Sequence, residues 1–144
     1  MRRLLAAGAF LALLATVLQA HVVAQPIPAA PTTRPPATAL CPQWWRTARS
    51  VGWPEHRLAT LDRIIWRESR CQTDVENLAD PWGGSIGLTQ VNRGWVRWLK
   101  ELGVITHSFD LFNGRTNLAA ALAIHDYACA RHGQCWIAWG ILEA

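Results

Sequence analysis

Beyond its first two dozen residues the sequence has no stretch long and apolar enough to cross a bilayer, which excludes a protein with several membrane spans. Net charge is also scarce. With Arg2 and Arg3 set aside as part of a leader, twelve basic residues face ten acidic ones, and no basic stripe or recognition motif accompanies them. Nucleic acid is therefore not expected as a partner, whereas a mild positive balance suits an anionic cell envelope. Tyrosine occurs once, at Tyr127. What the chain has in excess is tryptophan, with nine: Trp44, Trp45, Trp53, Trp66, Trp82, Trp95, Trp98, Trp136 and Trp139. Indole packs on the C–H faces of sugar rings, and it also builds a core from few residues. Trp66 and Trp98 are expected in the core, whereas Trp82, in a glycine-rich loop, is the candidate for the wall of a groove.

Three zones follow from composition. Arg2 and Arg3 precede the apolar run Leu4 to Leu18, and Val22-Val23-Ala24 offers a small-residue cleavage site, so residues 1–24 are expected to be a secretory signal. An uncleaved N-terminal anchor is the alternative. Residues 25–40 are mostly Pro, Ala and Thr, a composition that favours extended backbone, and are expected to be a spacer or a disordered mature N-terminus. Residues 41–144 remain for one domain, of a size that cross-links would help. The protein is expected outside the cell or in its envelope, without stable membrane insertion once the signal is removed, and as a monomer.

Four cysteines behind a signal segment imply two disulfides, with three pairings open. A short helix from Pro42 to Val51 and a second ending before Cys71, joined at Gly52-Trp53, would bring Cys41 and Cys71 together. Cys129 and Cys135 would then close a tight local turn. The longer closure contributes on the order of 3 kcal/mol in the chain-entropy model. A rival reading groups His125, Cys129, His132 and Cys135 as a tetrahedral zinc site. Export favours the disulfide, and His125 to Cys129 lies in a run whose apolar face is Leu118, Ala121, Leu122 and Ala128, so its histidines are expected to be partly exposed and no metal or cofactor is expected.

The second helix is the centre of the functional reading. Pro54 suits a first helical turn, and Leu58, Leu61 and Ile65 recur at helical spacing as a buried stripe. Glu68 falls around the axis between Leu61 and Ile64, a carboxylate on a face otherwise apolar. Carboxylates in apolar surroundings resist ionisation, which suits a general acid. The plainer alternative is a helix-end Glu that turns to water or pairs with Arg67 or Arg70. After it, Asp80-Pro81-Trp82-Gly83-Gly84-Ser85-Ile86-Gly87 is a dense turn signal, and Leu88-Thr89-Gln90-Val91 alternates apolar with polar residues. Glycines there permit close backbone approach to a ligand, and Gln90 offers an amide donor and acceptor. Asn92 then stands as an N-cap for a third helix with Trp95, Trp98, Leu99 and Leu102, stopped by Gly103, and a longer helix runs from near Thr116 to near Gly133.

Glu68-Ser69 closing a helix, Gly87-Leu88-Thr89-Gln90 after a glycine-rich loop, and Phe109-Asp110-Leu111-Phe112 before Asn117-Leu118-Ala119-Ala120 together resemble the catalytic domain of soluble lytic transglycosylases and the related goose-type lysozymes. The resemblance runs from Cys41 to the C-terminus and implies a mostly α, α+β lysozyme-like fold with at most a short β-hairpin. It also implies cleavage of peptidoglycan glycan strands at the bond from N-acetylmuramic acid to N-acetylglucosamine. Glu68 would be the acid and base, Ser69 its support or that of the loop, and Gln90 a contact to sugar substituents, with Asp80, Trp82 and Asn92 as further substrate-binding candidates. Three departures stand out. Asn92 occupies the place of an acid in goose-type lysozymes, which favours the lyase over the hydrolase; Asp80 is the best alternative carboxylate, ahead of Asp74 and Glu76. Thr89 replaces a Met and would make the groove more polar, and Trp136-Ile137-Ala138-Trp139-Gly140 stands where a tyrosine segment is usual. A glycan-binding module without turnover is the non-enzymatic alternative.

Overall fold

A computed structural model describes residues 34–143; the expected signal 1–24 and residues 25–33 of the expected spacer lie outside the described residues. Pro42, whose ring presets a helical φ, opens α1 (Pro42–Ser50), which buries Trp45 and Ala48. A single 3₁₀ turn, Glu55–Arg57, leads from Pro54 into α2 (Leu58–Ser69). The predicted stripe Leu58, Leu61 and Ile65 is buried, joined by Ile64. Asp62 is buried beside it, and its carboxylate accepts from Leu40 N (2.7 Å), Cys41 N (2.9 Å) and Trp45 Nε1 (2.9 Å). A side chain of α2 thus caps the start of α1, where Cys41 supplies no cap of its own. It also fastens Leu40 to the fold, although composition assigns that residue to the spacer.

The expected hairpin gains a third strand. β1 (Glu76–Asn77), β2 (Ser85–Ile86) and β3 (Val91–Asn92) form an antiparallel sheet in that order, with Glu76 opposite Ile86 and Ser85 opposite Asn92. The alternation seen from Leu88 to Val91 is not a strand until its last residue. Gly87, at φ +75°, and Gln90, at φ +49°, instead bend the chain into the turn between β2 and β3. A Cβ on Gly87 would lie 2.3 Å from Leu111 O, so only glycine fits that close approach.

Asn92 caps the 3₁₀ turn Arg93–Trp95 through Gly94 N (2.9 Å), and α3 (Val96–Glu101) continues from it. Asn113 caps α4 (Gly114–His132), which Gly133 ends at φ +64°. Leu118, Ala121 and Ile124 of α4 share one core with the α2 stripe, and α1 packs against both helices; Trp53 and Trp136 stack within that core (5.5 Å). Among the described residues the architecture is mostly helical, four α-helices with one small sheet. No helix among the described residues is long and apolar enough to cross a membrane.

Two tryptophan and histidine expectations change. Trp66 is 42% exposed under the Arg70 guanidinium (5.0 Å) instead of in the core, and Trp98 is half-buried. His125 is buried, its ring edge-on to Trp53 (5.1 Å) and Trp136 (4.6 Å), because the C-terminal turn folds over a face that α4 alone leaves open. Both disulfides have the expected pairing, Cys41–Cys71 and Cys129–Cys135, with Cα separations of 5.6 and 4.0 Å. His125 and the two sulfurs of the second lie within 4.8 Å of one another, but sulfurs bonded to each other are not thiolate ligands, and His132 is exposed against Tyr127.

Candidate active site

Glu68 lies in the last turn of α2, where the stripe that buries Leu61 and Ile64 carries it to the edge of a cleft. Its surroundings are not the apolar wall expected. The Arg67 guanidinium grips Glu68 Oε1 through Nε (2.9 Å) and through the same nitrogen, at 2.6 Å, that also donates to Trp139 O (2.6 Å). Side chains at successive helical positions normally diverge by about 100°. The pair forms because Trp139 O, on the C-terminal turn, draws Arg67 across the helix end. Half the Arg67 side chain is in water, so the pair adds little stability; its consequence is to fix one carboxylate oxygen. Glu68 Oε2 has no hydrogen-bond partner among the described residues, whereas Oε1 is held by Arg67.

Ser69, the next residue, is buried and faces away from the cleft. Its hydroxyl donates to Leu88 O (2.7 Å) and lies 3.0 Å from Ile65 O. It therefore fastens the glycine-rich loop to α2 and makes no contact with the carboxylate of Glu68. Thr89 is also fully buried, so it lines no wall of the groove: its N and Oγ1 donate to Asn117 Oδ1 (2.9 and 2.7 Å). The Asn117 amide donates onward to Ile86 O (3.0 Å) and Leu111 O (2.8 Å). One buried side chain of α4 thus holds both ends of the turn that delivers Gln90.

The cleft has a volume of 310 Å³, and Glu68, Asp80, Gln90 and Asn92 all line it. Gln90 spends its amide N–H groups on Val75 O (3.1 Å) and Gly87 O (2.9 Å). Its Oε1 makes no hydrogen bond among the described residues, so Gln90 offers a ligand an acceptor, not a donor. Asp80 takes a hydrogen bond from Asn77 Nδ2 (2.9 Å). Asn92 donates to Pro81 O (2.7 Å) as well as capping the turn after it, so its amide is largely committed to holding the rim in shape. Trp82 lies beyond the cleft, in an adjoining depression.

Sequence reasoning missed Ser85, Trp95 and Trp139, which line the cleft together with Pro81, Val91, Ile124 and Ala138. Trp139 also joins the cleft to the turn after the glycine-rich loop, since its indole donates to Thr89 O (2.8 Å). The sequence signal was the tryptophan pair Trp136 and Trp139 near the C-terminus. Tyr127 is not at the site; it packs against Trp95 (5.7 Å) and Trp98 (5.2 Å).

The chain matches no protein-family model, no curated protein sequence and no solved structure.

Proposed function

We propose that the protein cleaves peptidoglycan glycan strands at the β-1,4 bond between N-acetylmuramic acid and N-acetylglucosamine, as a secreted or envelope-located lytic transglycosylase. The observation that carries the reading is one cleft lined by Glu68 and Gln90, which lie on separate elements locked together by Ser69 and Asn117. The order of the motifs, similar to that of soluble lytic transglycosylases, supports it.

In this reading Glu68 gives its proton to the glycosidic oxygen, the C1–O bond breaks, and an oxocarbenium-like centre develops at the muramoyl C1. The C6 hydroxyl then attacks C1 and returns its proton to Glu68, closing a 1,6-anhydro ring without consuming water. Between the two steps Glu68 is a carboxylate, and the two N–H donors of Arg67 stabilise that form through Oε1 while Oε2 handles the proton. Gln90 Oε1 accepts an N–H or O–H from a sugar substituent and sets the register of the strand.

Asp80 in the same cleft favours a second reading, hydrolysis with Asp80 orienting a water. Mass spectrometry of released muropeptides separates the two, since anhydro products are lighter by one water. The test of the whole proposal is Glu68→Gln. It is expected to lower lysis of purified sacculi by at least about 100-fold with the fold intact. Undiminished lysis overturns the catalytic assignment, and a parent protein that binds sacculi without lysing them is a glycan-binding module.

A further inference from the structure

Beside the Glu68 cleft lies a second depression of 540 Å³, lined by Pro81, Trp82, Asn92, Gly94, Trp95 and Ala138. Pro81, Asn92, Trp95 and Ala138 also line the cleft, so the two depressions form one continuous groove. The Trp82 indole is 83% exposed, whereas Trp53, Trp136 and Trp139 are buried. A ring left so far in water adds almost nothing to the core, and its backbone is costly too: φ is +65°, a left-handed conformation that bulky residues rarely adopt.

The surrounding contacts hold the ring in that position. Gly84 N donates to Asp80 O (3.1 Å) and Arg93 N to Gly84 O (2.8 Å), while Asn92 Nδ2 donates to Pro81 O (2.7 Å), so the loop is tied down on both sides of Trp82. Gly94 has no side chain, and a Cβ there would come within 3.4 Å of Trp82 Cβ, so the base of the indole rests on bare backbone. Across the depression, Trp95 is set by ring contacts with Trp98 (5.5 Å) and Tyr127 (5.7 Å). The result is a rigid, exposed, flat apolar surface, with a second indole fixed nearby, at the end of a groove that leads to a carboxylate.

Resting on the proposed reading of the cleft, we propose that Trp82 and Trp95 form a further saccharide subsite, which packs the C–H face of another N-acetylhexosamine ring beyond those held at Glu68. The groove then selects for chain length. A short oligosaccharide fills only the cleft, and a longer one reaches the indoles and gains their contact.

Oligomers of N-acetylglucosamine test this without a peptide stem. Calorimetric titration in the Glu68→Gln background compares the dimer with the tetramer. The tetramer is expected to bind about tenfold tighter than the dimer, Trp82→Ala to remove most of that advantage while leaving dimer affinity unchanged, and Trp82→Tyr to restore part of it. Because Trp82 is exposed, its replacement leaves the fold intact. Equal tetramer affinity with and without Trp82, or no tetramer binding by a protein that lyses sacculi, overturns the subsite. Lysis by Glu68→Gln overturns the catalytic reading instead, and the tetramer-to-dimer ratio still decides the role of Trp82.

Discussion

Replacing Asn117 by alanine tests how the structure delivers Gln90. The side chain is fully buried and closes four hydrogen bonds: Oδ1 accepts from Thr89 N and Thr89 Oγ1, and Nδ2 donates to Ile86 O and Leu111 O, all between 2.7 and 3.0 Å. Alanine leaves four buried groups without that partner, each worth about 1 to 3 kcal/mol when stranded. The Thr89 hydroxyl can rotate and the site can relax, so the low end applies to each, about 4 kcal/mol altogether. A domain of this size has a stability of about 5–15 kcal/mol, so the loss is a large fraction of it. With a urea dependence of about 1.3 kcal/mol per molar, the unfolding midpoint falls by about 3 M. Equilibrium urea titration followed through tryptophan fluorescence reads this directly, since Trp136 and Trp139 are buried. Thr89→Val keeps the shape and loses one of the four bonds, so its expected cost is about 1 kcal/mol. If Asn117→Ala shifts the midpoint no further than Thr89→Val does, Asn117 is not the tether and the account of the turn is wrong.

Removing Cys41–Cys71 as a pair of serines is expected to cost about 3 to 4 kcal/mol and removing Cys129–Cys135 about 2, since the first closes the longer loop; thermal melts of the two double variants rank them. Gly87→Ala is expected to destabilise by about 3 kcal/mol or more, because the added Cβ meets Leu111 O at 2.3 Å, whereas Gly133→Ala, with open space around it, pays only for its positive φ, about 1 kcal/mol; urea midpoints compare them. The Arg57 guanidinium, with help from Cys135 N–H, holds the Glu143 carboxyl below its ordinary value of 4.5, so the stability it lends the C-terminal turn is present above that pH and is lost as pH falls through the lowered value. Carboxyl NMR is expected to find the Glu143 midpoint below 4.5 and to see Arg57→Gln move it back up.

Local signals were legible where one element decides the outcome. Helical spacing alone identifies Leu58, Leu61 and Ile65, and the order of two short helices with a turn between them brings Cys41 to Cys71, because antiparallel helices of similar length return the chain to its start. Asn113, Asn92 and Gly133 sit at helix ends for reasons of local hydrogen bonding and φ. Illegible features needed a partner from elsewhere. His125 is buried by Trp53 and Trp136, from both sides of α4 in sequence, and nothing in the spacing of α4 announces them. Trp66 lies about 100° around α2 from the centre of its stripe, where an indole goes inward or stacks under an arginine according to what the rest of the chain supplies. The third strand depends on Gln90 adopting positive φ, which a residue other than glycine reveals only through its contacts.

The surroundings of Glu68 show the same limit most clearly. A helical wheel places the carboxylate among Leu61 and Ile64, and on that basis an apolar pocket is the natural expectation. The wheel carries no information about the last turn of the chain. Trp139 arrives over the end of α2, its carbonyl takes the Arg67 guanidinium, and that guanidinium takes Glu68 Oε1. The same Trp139 gives its indole N–H to Thr89 O, one residue before Gln90. Trp139, which belongs to neither motif, therefore braces Glu68 through Arg67 and adds to Ser69 and Asn117 in holding the turn that carries Gln90, and the Cys129–Cys135 bond and the Gln134–Glu143 contacts hold its own segment. A search for the residues that shape this cleft must therefore include the C-terminal turn, whose part in the site shows only in three dimensions.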